Sequence, residues 1–226
     1  MATALSSTAP AQHFNTATRT VVSTLGVLLG VSSINHGVLE ILQGNQPIHH
    51  HIIKALGPGY HWTVWTQGSE PAFTVVPSFL TTGILATIAG LLIILCSLRF
   101  IHKPHGPMVF LLLSIASFLV GGGLAQVLLF TVNWAFATRI LASLGFWRVL
   151  LPRIVPRILV RLWPWTLTAG SFVFLAALEI ATFGYIPGVA PETQLLHAIL
   201  LWLGLAIIIF FLASFILGLA HDIEAR

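Results

Sequence analysis

Apolar runs longer than the ~18 to 20 residues that a helix needs to cross ~30 Å of hydrocarbon recur along this chain. A membrane interior offers no water to backbone N–H and C=O groups, so a spanning segment must satisfy them within a helix or a closed barrel. The alternating, roughly ten-residue strand pattern of a barrel is absent, and the spans are expected to be helices. Only 7% of the residues are charged and 57% are hydrophobic, whereas a soluble domain carries roughly 25% charged residues. A soluble globular protein is excluded. The pattern predicts an all-α integral membrane protein, one domain built as a bundle of about five transmembrane helices over residues 18–42, 77–98, 107–130, 164–185 and 193–219. An amphipathic surface segment over 139–163 is expected between the third and fourth.

The first span carries the most informative pattern. Ser23, Gly26, Gly30, Ser33, Gly37 and Glu40 recur at spacings of three and four, so on a helix they form one stripe of small residues that ends in a carboxylate. In lipid an apolar side chain gains nothing by turning toward other apolar side chains, whereas small residues let two backbones approach closely. The stripe is expected to face protein. His36 lies one turn before Glu40, and an ionisable pair near the end of a membrane helix is costly unless something satisfies it. A hydrogen bond between the two is the plain reading.

Gly44, Asn45 and Pro47 end that span, and a loop of roughly thirty residues follows, long for a compact bundle. It holds His49, His50, His51, Lys54, His61, Trp62, Trp65 and Glu70, with a short interfacial helix expected over 48–56. Its tryptophans suit the headgroup layer. The second span offers Gly83, Ala86, Thr87 and Gly90 at four-residue spacings as a partner for the first stripe. Three consecutive glycines, Gly121 to Gly123, interrupt the third, each costing about 1 kcal/mol relative to Ala in a helix. Close helix packing is the expected compensation, and an unwound, ligand-lining segment is the alternative. Arg148, Arg153, Arg157 and Arg161, broken by Pro152 and Pro156, read as amphipathic helices whose arginines reach anionic lipid headgroups.

The formal charge of +4 is modest and lies beside membrane segments, which gives no sign of nucleic acid. Cys96 is the sole cysteine, so no disulfide framework or thiol pair forms within the chain. The first sixteen residues lack the basic region of a secretory signal, and the first helix is expected in the mature protein. If each span crosses once, Glu40 shares a side with the histidine loop, Gln126, Asn133, His221 and Asp222, while Glu179 shares the other with Arg99, Lys103 and His197. Lys and Arg then favour a plasma-membrane protein with its N-terminus outside and its C-terminus cytoplasmic.

Three functions fit these features. A non-catalytic scaffold, sensor or accessory subunit follows from the lack of a nucleotide loop or nucleophile motif, and from small-residue faces that suit a second copy or another membrane protein. A metal- or proton-handling protein would use His36 and Glu40 with His49, His51 and His61, a set whose nitrogen and oxygen donors suit a transition metal. A small permease or channel would use the triple glycine and Gln126. The intramembrane polar candidates are thus His36, Glu40, Gln126 and Glu179.

Overall fold

The computed structural model describes residues 14–58, 60–189 and 193–225. Its framework is α1 (Thr16–Leu42), whose small stripe faces α2 (Phe79–Leu95). Gly37 lies against Gly83 and Thr87, Gly30 against Gly90 and Ile94, and Gly26 against Ser97. A Cβ added to Gly30 would stand 2.8 Å from the Gly90 carbonyl oxygen, and one added to Gly90 would stand 2.6 Å from that of Gly30. The two backbones are therefore in contact, as small residues permit where the surrounding medium is itself apolar. Beyond α2 the chain continues as a π-helical turn over Cys96–Phe100.

The stretch expected as a third span folds as a hairpin instead. Helix α3 (Gly106–Leu119) runs back along α2, β3 (Val120–Gly123) turns the chain, and α4 (Gln126–Ala137) returns between α3 and α1. Phe110 at the start of α3 meets Phe130 of α4 at 6.0 Å, and Ile140 after α4 accepts the Asn15 N–H at 3.0 Å, beside the start of α1. The continuous helix expected over 107–130 is corrected by this reversal. Gly121 has φ +107°, a backbone conformation that a Cβ disfavours and glycine adopts freely. The helical hydrogen bonds lost there are replaced by pairing with β2 (Pro71–Thr74), where Ala72 stands opposite Gly123 and Thr74 opposite Val120. On the far edge of β2 lies β1 (Ile52–Lys54), completing an antiparallel sheet in the order β1, β2, β3. The bundle is thus mainly helical with a small sheet at one end, and a strand stands where the short interfacial helix was expected.

At the other end, α5 (Gly145–Ile154) and α6 (Arg157–Val160) bury Leu144, Leu151, Val155 and Val160 against Leu219 and Ala220 of α8. Arg148, Arg157 and Arg161 are exposed there, and the side chain of Arg153 lies outside the described residues. Helices α7 (Trp163–Phe183) and α8 (Thr193–Glu224) pair with each other and lean on α1, with Phe211 and Phe215 buried among Leu25 and Leu29. Among the described residues four helices are long and apolar enough to cross a membrane: α1, α2 continued to Phe100, α7 and α8. Helices α3 and α4 are apolar but shorter. The chain is a helical membrane protein.

The start of α1 and the end of α8 meet. Asp222 accepts hydrogen bonds from the Ala17 N–H at 2.9 Å, the Thr18 N–H at 2.8 Å and the Thr18 hydroxyl at 2.7 Å. A helix N-terminus leaves N–H donors unmade and carries partial positive charge, so a buried carboxylate satisfies both. Asn15, the residue in cap position, instead donates to the Arg139 carbonyl at 2.6 Å. The described ends of the chain therefore lie together, which corrects their assignment to opposite sides. One additional reversal, at Gly121 to Gly123, inverts the direction of every later element. Asp222 and His221 lie at the end away from Glu40, while Glu179 and His197 lie toward it: Trp65 donates to the Ala181 carbonyl at 3.0 Å and its ring is 5.1 Å from that of His197.

Candidate functional site

Where α1 approaches the sheet, Ser32, Ser33, His36 and Glu40 are buried. His36 and Glu40 are 1% and 0% exposed. They do not pair with each other. His36 Nε2 lies 3.1 Å from Glu70 Oε2, a contact delivered by the loop that leads into β2. The geometry corrects the expected His36–Glu40 hydrogen bond, because the two side chains turn to different glycines of β3. A Cβ on Gly123 would stand 2.6 Å from His36 Nε2, and one on Gly121 would stand 2.5 Å from Glu40 Oε2 and 2.6 Å from the Thr82 methyl. The glycine run is thus the cradle that admits a ring and a carboxylate to the interior.

Neither oxygen of Glu40 has a hydrogen-bond partner among the described residues, and neither has His36 Nδ1. An ionised carboxylate left unpaired in an apolar interior carries a desolvation cost of several kcal/mol, in round terms. Next to it, Thr74 and Thr82 share a hydrogen bond of 3.1 Å. Glu70 sits at the edge of this cluster, outside the helices. Burial pushes its carboxyl up, but the charge and hydrogen bond of His36 outweigh that effect and hold it below the usual carboxylate range.

Gln126, the first residue of α4, extends the cluster down α1. Its Nε2 donates to the Ser32 hydroxyl at 3.0 Å, and its Oε1 lies 3.4 Å from Ser33 Oγ, which is in turn 3.1 Å from Ser117 Oγ. Asn133 is buried deeper toward the basic end, with neither amide atom paired among the described residues. Glu179 is elsewhere: it projects from the outward face of α7, in line with exposed Phe172 and Leu175.

The histidines of the loop do not join His36. His49, His50, His51 and His61 are exposed, and His51 is engaged by the Thr74 carbonyl at 3.1 Å and by the Phe73 ring. Among the described residues no three His, Cys, Asp or Glu side chains are grouped to hold a metal ion. The donor set His36, Glu40, His49, His51 and His61 is therefore not assembled, since strand pairing of Ile52 to Lys54 carries the neighbouring histidines outward. Glu70, thirty-four residues from His36 in the chain, is a partner that no local spacing points to. Its signal was present, in that Glu70 is the one acidic residue in a long loop of histidines and tryptophans.

Beside Gln126 and Glu70 a cavity of about 590 Å³ opens between α4 and the α7–α8 pair. Ser32 of α1 lies at its back, and aliphatic residues of α4 and α8 form most of its walls. Comparison of the chain with protein-family models, curated proteins and solved structures finds no match.

Proposed function

We propose that this membrane protein handles protons at the buried cluster of Glu40, His36 and Glu70, gated by the unwound segment Gly121 to Gly123. The observation that carries this reading is the Glu40 carboxylate, fully buried against glycine backbone with neither oxygen paired among the described residues. Ionisable groups of this kind inside a membrane bundle mark proton and ligand pathways, and broken helices in transporters surround such sites. His36 and Glu70 supply a second proton carrier and a route through the loop toward water. The stripe of Gly26, Gly30 and Gly37 packs on α2 of the same chain, so this face is not what a second protein would meet.

The test is infrared difference spectroscopy between acidic and alkaline buffer. A protonated-carboxyl band that titrates in the wild type and vanishes in Glu40→Gln, with about one proton per chain fewer bound, supports the reading. An unchanged band overturns it.

The orientation we infer runs opposite to the simple alternation of spans. Among the described residues, Arg19, Arg99, Lys103, Arg139, Arg148, Arg153, Arg157 and Arg161 belong to the end where α1 begins and α8 stops, against Lys54 alone at the sheet end. Lys and Arg flank the cytoplasmic ends of spans. In a bacterial-type plasma membrane the basic end then faces the cytoplasm and the sheet faces outward. The exposed arginines of α5 and α6 lie at the level of anionic headgroups in this arrangement. A fluorescent protein that folds only in the cytoplasm, fused after Ala225, is expected to fluoresce; a dark, membrane-inserted fusion refutes the orientation.

A further inference from the structure

Two lobes flank α1, one made of α2, α3 and α4 and the other of α7 and α8, and the cavity is the gap between them. It has a polar end and an apolar body. Ser32, Lys54, Glu70 and Gln126 gather beneath the loop that precedes β2, while Leu128, Leu129, Leu201, Leu205 and Ile208 line the rest. Ala125, Leu128, Leu201 and Leu205 at its rim are exposed on the side of the bundle, so the mouth opens toward lipid. Its volume of about 590 Å³ falls within the ~300–1,000 Å³ typical of small-molecule pockets.

The polar end has a definite chemistry. Glu70 Oε2 is held by His36, and Oε1 has no partner among the described residues, which leaves an acceptor at the cavity. The Ser32 hydroxyl accepts from Gln126 and retains its own proton to donate; the second N–H of Gln126 is a further donor. Glu70 already has His36 as its ionic partner, so a carboxylate head would meet like charge there and a cationic head would compete with His36, whereas a hydroxyl donates and accepts at once.

We propose that this cavity binds a neutral single-chain amphiphile with a hydroxylated head, of the monoacylglycerol or long-chain alcohol class, its head at Ser32, Glu70 and Gln126 and its chain between α4 and α8. The site shares Glu70 with the proton cluster but requires no proton movement, so binding at fixed pH tests it separately, and Glu40→Gln is expected to retain it.

Trp65 lines the cavity and reports on it. The probe is a monoacylglycerol with a brominated chain, added to the protein in detergent, and the Trp65 share of the fluorescence is obtained by difference from Trp65→Phe. Saturable quenching is expected, displaced by unlabelled monoacylglycerol and weakened about tenfold or more by Gln126→Leu. Ala177→Phe, which fills the apolar body, is expected to weaken it similarly; Leu201→Phe at the rim serves if that variant does not fold. Several results overturn the assignment: no quenching of Trp65; equal quenching by a brominated phospholipid with no displacement, which would mean bulk lipid fills the gap; or tighter binding of the same chain carrying a carboxylate or a trimethylammonium head.

Discussion

The protein uses glycine in two ways, and α1 and β3 set them side by side. In α1, Gly26, Gly30 and Gly37 are spaced by whole turns; the helix persists, and the missing side chains become contact with α2. In β3 the glycines are consecutive, the helix fails, and the missing side chains become space for Glu40 and His36. One residue type thus yields a rigid seam or a polar break according to spacing alone. The stripe removes side chains from a single face while the other faces keep residues that favour the helix. A run of three removes them all round, so no local preference resists the strand pairing that β2 offers.

Substitution at the seam is expected to do the most damage. Gly90→Val places carbon atoms where the Gly30 carbonyl stands, and overpacking of backbone on backbone is expected to cost about 3 kcal/mol, read as a fall in melting temperature in detergent. At the break, Gly121→Ala combines a φ of +107° with a contact onto Glu40, for an expected loss of about 2 kcal/mol. Combining it with Glu40→Ala is expected to recover part of that loss by relieving the contact. If Gly121→Ala costs nothing by thermal melting, the contrast between seam and break fails.

Asp222→Ala, which removes three hydrogen bonds from the start of α1, is expected to cost about 2 kcal/mol in the same assay. Smaller still is the pH effect at the loop. Because the native Glu70 carboxyl lies below its ordinary range, its stabilising contribution is complete above the unfolded value and declines as pH falls through the native one. Melting curves across acidic buffers are expected to show this decline in the wild type and a flatter response in Glu70→Gln. The exposed pair Arg157–Glu224, 3.9 Å apart, marks the lower limit: Arg157→Ala is expected to change stability by about 0.5 kcal/mol or less.

Much of this arrangement is legible in the residues. Hydropathy places α1, α2, α7 and α8 within a few residues of their bounds, and the spacing of Gly26, Gly30 and Gly37 marks the face that meets α2. The site is half legible. His36, Glu40 and Gln126 stand out as polar groups in apolar helices, but the pairing of His36 with Glu70 spans a loop whose path no local pattern dictates. His49, His51 and His61 mislead for the complementary reason. Adjacency of His49 and His51 resembles a ligand cluster, while β1 pairing turns them outward and His61 is exposed on a separate turn of the loop.

The sequence by itself determined that this chain enters a membrane as helices, and which face of α1 meets protein, because hydrocarbon depth and helical periodicity act on each segment separately. Tertiary structure decided the reversal at Gly121 to Gly123, the meeting of α1 and α8 at Asp222, and the burial of Glu40 against bare backbone. Each depends on groups far apart in the chain satisfying one another, and a single reversal sets the direction of everything after it.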